Sequence, residues 1–122
     1  MSYVAKQLAL LCANQLSKKL DPSIVHATKR CLIDWFAVTI AGSKEKQAVA
    51  IERTLSDELG AGSSWTISGH RAPMRSAAFI NGLASHVVEF DDIYAPGTFH
   101  PGSATIAAAL SAATGLKRSG YE

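Results

Sequence analysis

The chain has 122 residues and a mass of 12.9 kDa, with 48% hydrophobic and 18% charged residues, a composition that excludes disordered and fibrous classes. That length supplies one core and not two, so a single domain, or part of one, is expected over residues 1–122. Twelve Lys and Arg against ten Asp and Glu give a net charge of +2, and the basic residues are scattered rather than set in a stripe, which gives nucleic-acid binding no support.

Val4, Leu8, Leu11, Cys12, Leu16 and Leu20 recur at three- and four-residue steps and predict a first amphipathic helix. Its apolar run, Leu8 to Ala13, is far too short to span a bilayer and short for a secretory signal. Lys6, Lys18 and Lys19 only faintly resemble a transit peptide, a class usually rich in Arg, so no membrane partner and a cytoplasmic location are the default expectations. Asp21-Pro22 restarts the chain, Asp as a cap and Pro in the first turn, where its missing N–H costs nothing. Ile24, Thr28, Cys31, Leu32, Trp35, Phe36 and Thr39 then keep helical spacing to Gly42, and this most apolar helix is the expected core element. Cys12 and Cys31 fall inside these apolar patterns with no second pair to form a metal site or disulfide framework, so they read as core thiols of a reducing compartment.

Ala48, Ile51, Leu55 and Leu59 mark a third, more polar helix closed at Gly60. Trp65-Thr66-Ile67, bracketed by Gly and Ser, predicts a short strand or extended segment. Pro73 opens a fourth helix to about Phe90, and Ser103 is expected to cap a fifth running to Gly115. Alanine concentrates between residues 72 and 113, which favours closely approaching helices. The fold expected is all-α, about five helices with one short extended segment near 64–67. From Leu116 onward a helix stop is followed by what reads as the opening of another element, so the domain is expected to be incomplete.

Chemistry concentrates between residues 81 and 103. On a wheel at ~100° per residue, Asn81, Ser85, Glu89 and His86 fall within ~140° of one another on a helix apolar over the rest of its circumference. Such a stripe faces solvent, a partner or a cavity, and a solvated face with a satisfied histidine reads the same way as a site. Glu89, Asp91 and Asp92 then crowd the helix exit, where acids oppose the macrodipole by a few tenths to ~1 kcal/mol each. His100 precedes Pro101 and is biased to extended backbone, which projects it from the loop. The helix start at Gly102-Ser103 offers N–H groups to a substrate carboxylate. His26 reads as a surface histidine, and His70 and Arg71 as turn residues. His86, Glu89, Asp92 and His100 form a metal set only in outline, since no standard zinc or di-iron spacing matches, and no metal is expected.

Cys31 to Gly42, Ala77-Ala-Phe-Ile-Asn-Gly-Leu-Ala-Ser-His86, Glu89-Phe-Asp-Asp92 and His100-Pro-Gly-Ser103 together resemble the N-terminal part of the MmgE/PrpD family. That family contains 2-methylcitrate dehydratase, cis-aconitate decarboxylase and iminodisuccinate epimerase. The resemblance implies a large all-helical domain of which this chain is the first part, a homodimer, and chemistry without cofactors. It also implies that the first acid of the Asp-Phe-Asp-Asp motif and the His of His-Pro line the active site; these fall on Glu89 and His100, with Glu in place of Asp. Later lysine, histidine and tyrosine site residues of the family have no counterpart in these 122 residues.

The function so implied is a cofactor-free lyase or isomerase acting on a di- or tricarboxylate through acid/base chemistry α to a carboxylate. As an imidazole, His100 is the residue type suited to proton transfer at neutral pH. Glu89 and Asp92 join it as catalytic candidates, and His86, Asp91, Ser103 and Arg71 are candidates for holding substrate. The alternative is a catalytically inactive helical module whose role is association.

Overall fold

The computed structural model describes residues 3–15 and 18–119. Its helices are α1 (Tyr3–Gln15), α2 (Pro22–Gly42), α3 (Lys46–Thr54), α4 (Met74–His86) and α5 (Pro101–Gly115), with two short strands, β1 (Ser64–Trp65) and β2 (Arg71–Ala72), between α3 and α4. The domain is mostly α, as the spacing predicts. Single 3-10 turns at Ser56–Glu58 and Ala95–Gly97 complete it. No helix among the described residues is long and apolar enough to cross a membrane.

α4 is the centre. It packs against α2, α3 and α5, and the face it buries is made of Ser76, Ala77, Ile80, Asn81, Ala84 and Ser85. Small side chains let backbones come close. A Cβ on Gly42 of α2 would run into the carbonyl oxygen of Ala84, and one on Gly82 would lie 3.0 Å from the Ser103 carbonyl of α5. The hydrophobic core is correspondingly alanine-rich: Trp35, Val38 and Ile80 are its larger members, with Ala48, Ala72, Ala77, Ala84 and Ala107 between them.

β1 and β2 pair antiparallel, Ser64 opposite Ala72 and Trp65 opposite Arg71. Their turn uses Gly69 at φ 90°, a backbone conformation that L side chains rarely adopt. Asn81 of α4 clamps the hairpin, its Oδ1 accepting from Ile67 N at 2.7 Å and its Nδ2 donating to Trp65 O at 3.0 Å. The Ser64 hydroxyl donates to Ser111 O at 2.6 Å and that of Ser63 to Gly115 O at 2.9 Å, so the hairpin also ties down α5.

Asp21 caps α2 as expected, its side chain accepting from Ser23 N at 2.8 Å, with Pro22 in the first turn. Other expectations shift. The extended segment expected near 64–67 is a strand only over Ser64–Trp65, and its pairing with residues 71–72 was not read from the sequence. The third helix stops at Thr54 and only a 3-10 turn follows. α4 ends at His86, short of Phe90, where the β-branched pair Val87-Val88 precedes Glu89 at φ 49°. α5 begins at Pro101 with His100 as the extended N-cap, and the Ser103 hydroxyl donates to His100 O at 3.0 Å inside the first turn. The core thiols are corrected: Cys12 and Cys31 are both exposed. α1 buries none of its residues, and α2 buries only Trp35, Val38, Thr39 and Gly42, all in its second half. Leu16 and the element suggested at residues 120–122 lie outside the described residues.

Glu58 joins the 3-10 turn to α4, accepting from the Ser76 hydroxyl and from Arg75 Nη2 at 3.1 Å. The Ser76 hydrogen bond first, and Arg75 with it, hold the Glu58 carboxyl below its usual value against an opposing desolvation cost. A carboxyl depressed on folding contributes stability above its unfolded pKa and loses it as pH falls through the folded one. Ser76→Ala is therefore expected to lower the urea midpoint at neutral pH, and the difference from the parent should close as pH drops below ~4. A difference of constant size across that range would show that the Ser76 contribution does not run through the Glu58 charge.

Candidate functional site

α4 and α5 run side by side, and the loop 87–99 brings the end of the first to the start of the second. His86 closes α4 and His100 caps α5, so their rings meet with centroids 4.7 Å apart and planes at 60°. Between them lies Asp91, its side chain only 1% exposed, against 48% for His86 and 29% for His100.

Both imidazoles turn Nδ1 toward this carboxylate. His86 Nδ1 is 3.1 Å from each Asp91 oxygen, and His100 Nδ1 is 3.2 Å from Oδ1. The first contact has hydrogen-bond geometry. The second does not, and His100 Nδ1 is a buried atom without a hydrogen-bond partner. A carboxylate taken out of water needs donors or cations. Among the described residues, the ion pairs of Asp91 are with these two histidines.

Asp92 serves a different end. Its Oδ1 accepts from Gly102 N at 3.0 Å, placing a carboxylate on the N-terminus of α5, where backbone N–H groups and the macrodipole favour negative charge. A Cβ on Gly102 would collide with that carboxylate, so glycine is what allows the contact. The helix start expected to receive a substrate carboxylate is thus capped at Gly102 by the chain's own acid, and Asp92 supports α5 rather than opposing α4.

The sequence-derived candidates therefore separate. His86, Asp91 and His100 come together, with Asp92 holding the Gly102 N–H and Ser103 the His100 carbonyl. Glu89 stands apart: it is exposed, in left-handed backbone, and its carboxylate makes no hydrogen bond or ion pair among the described residues. Arg71 is held in the hairpin, its guanidinium 3.8 Å over the Trp65 ring and its Nη1 donating to Ser63 O at 2.6 Å. Asn81 and Ser85, read as members of one polar stripe with His86, are buried and internally bonded, Ser85 to Gly82 O at 2.8 Å. The central place of Asp91 was missed. The signal for it lay in Val87-Val88, because a helix stopped there lets the chain fold back and return the second acid, not the first, to His86.

Beside Asp92 a cleft of about 680 Å³ opens along α2, lined by Ala27, Arg30, Cys31, Ile33, Asp34 and Ala37. Asp92 is thus shared between the α5 terminus and this cleft.

Compared with known proteins, residues 6–122 match the sequence profile of the MmgE/PrpD N-terminal domain. Human cis-aconitate decarboxylase is 30% identical over 103 residues, an alignment that takes in 82% of this chain and 21% of that protein. The chain thus spans about a fifth of the length of the curated relative it matches.

The contact of His86 with a buried carboxylate requires a proton on Nδ1. Long-range ¹H–¹⁵N spectra above neutral pH should show His86 as the Nδ1–H tautomer, with the signature lost in Asp91→Ala. An Nε2–H tautomer in the parent would dissolve the pairing.

Proposed function

The chain belongs to the MmgE/PrpD family, and we propose that it forms part of a cofactor-free lyase or isomerase that moves a proton α to a carboxylate of a di- or tricarboxylate. The observation that carries this reading is the burial of Asp91 between two imidazoles. A carboxylate on Nδ1 fixes the tautomer, so Nε2 becomes the atom that exchanges a proton with substrate. His100 is the acid/base residue, and Asp91, 3.2 Å from its Nδ1, becomes its positioning residue when the ring turns into hydrogen-bond geometry. Asp92 and Ser103 hold the backbone from which His100 projects. His86, half exposed beside it, is placed to meet a substrate carboxylate. Glu89, with an exposed carboxylate that makes no hydrogen bond or ion pair among the described residues, is the second acid/base candidate. Arg71 drops out of this reading, since its guanidinium is already committed in the hairpin.

In an elimination, the imidazole takes the α-proton, the C–H electron pair becomes the new C=C bond, and the β-hydroxyl leaves as water after accepting a proton. In a decarboxylation the C–C pair left by departing CO₂ is protonated by the imidazolium. The two outcomes share one proton carrier. A relative named cis-aconitate decarboxylase supports carboxylate lyase chemistry of this kind.

The apolar side chains left open support homodimerisation as a further part of the reading. Leu8 and Leu11 on α1 and Ile33, Phe36 and Ile40 on α2 are all more than 40% exposed, and an apolar set of this extent marks an association surface.

Three measurements test these statements. With cis-aconitate and citrate in D₂O, solvent deuterium should enter the substrate carbon next to a carboxylate, and His100→Gln should slow this ~10²- to 10⁴-fold, the weight of one general acid/base group. Exchange within a few-fold of the parent removes His100 from the mechanism. Glu89→Gln should slow exchange with an unchanged unfolding midpoint; a loss confined to stability makes that residue structural. Light scattering should give the mass of a dimer, whereas a sharp monomer would refute association through a second copy.

A further inference from the structure

We propose that His86, Asp91 and His100 form a binding site for a divalent transition ion of the zinc class. One ligand atom from each residue lies within 4.8 Å of the others. The two gaps to Asp91 Oδ1 are 3.1 and 3.2 Å. A tetrahedral ion with bonds of ~2.1 Å to imidazole nitrogen and carboxylate oxygen has edges of ~3.4 Å between its ligands, close to these separations. Two of the three edges of the donor set thus match those around one tetrahedral ion, and the third, between the two imidazoles, spans no more than 4.8 Å.

A second observation is independent of the spacing. His100 Nδ1 is shielded from water, 3.2 Å from a carboxylate oxygen, and yet hydrogen bonded to nothing. Buried ring nitrogens of this kind call for a partner. An ion seated between the three groups supplies one, accepting the Nδ1 lone pair and balancing the Asp91 charge. Two neutral imidazoles and one carboxylate leave a net charge of +1 on the bound site, with a fourth position open on the half-exposed side of His86. Two nitrogen donors favour zinc, cobalt or nickel over magnesium and calcium, which take oxygen ligands.

The ion and the proton compete for the same nitrogens. Metal on both Nδ1 atoms withdraws the Asp91 carboxylate from His100, so in the acid/base reading zinc acts as an inhibitor and not as a cofactor. That consequence rests on the proposed function; the binding itself does not.

Titration calorimetry of this protein with zinc chloride is expected to show one equivalent bound, with magnesium chloride giving no heat. Each of His86→Gln, Asp91→Asn and His100→Gln should weaken the zinc affinity ~10-fold or more. Cobalt(II) should give the visible bands of a tetrahedral site without thiolate charge transfer. In the parent protein, ¹⁵N spectra should show zinc moving the Nδ1 resonances of His86 and His100, a readout that needs no variant to fold. Absence of zinc binding overturns the proposal. So do binding that survives in the His86→Gln/His100→Gln double variant, charge transfer from Cys12 or Cys31, and perturbation of His26 or His70 instead. Because no turnover is measured, these outcomes are separate from the fate of the lyase reading.

Discussion

The close approach of α4 and α5 is the constraint on which the rest depends. Gly82 lies against the Ser103 carbonyl and the Ala107 methyl, and Ala77, Ala84 and Ala107 are almost fully buried. With nothing larger than a methyl at these points, the helix ends are held near enough for residues fourteen apart in sequence, His86 and His100, to share one carboxylate. Larger side chains there would push the helices apart, and a separation of even an ångström would break a contact made at 3.1 to 3.2 Å. Packing of the smallest side chains therefore sets the geometry of the most reactive ones.

The loop between those helices is built from charge as much as from backbone. Three acids follow α4 within six residues, and each has a different surrounding: Glu89 faces solvent, Asp91 is buried on two imidazoles, and Asp92 caps α5. Read one helix at a time, they oppose the macrodipole of α4. Once α4 stops at His86 the sign reverses. Asp92 complements the positive end of α5, and His86 in the last turn of α4 meets Asp91. The local unfavourability visible in the sequence is relieved by the neighbouring helix, which the sequence order alone does not reveal.

This explains what was legible. Helical spacing locates α2, α4 and α5 because periodicity is a local property, and the Asp21-Pro22 start of α2 needs no knowledge of the fold. The grouping of His86 with a following acid and with His100 is visible for the same reason, since all three crowd one short stretch. What eluded the sequence was set over distance. The β1–β2 hairpin is fixed by Asn81 and by Ser64 reaching Ser111, contacts spanning 14 to 47 residues. Cys12 and Cys31 follow helical spacing yet stay exposed, because spacing shows which residues share a face and not whether another element covers it. Arg71 looked available for an anion until the hairpin stacked it on Trp65.

Asp91 bears on how such a site can work. A buried carboxylate with two imidazoles on Nδ1 can hold one proton between three groups, and the position of that proton decides which ring is basic. His86 has the hydrogen bond, and His100 has proximity without one. The pair is therefore asymmetric: His86 already has hydrogen-bond geometry to Asp91, whereas His100 gains a comparable partner only through a rotation of its ring or the arrival of a cation. His100 sits on the N-cap of α5, where Asp92 and Ser103 fix the backbone but not the ring. Rigid support beneath a side chain with one unsatisfied nitrogen is the arrangement a proton carrier needs, because the ring can change partner without the fold changing with it.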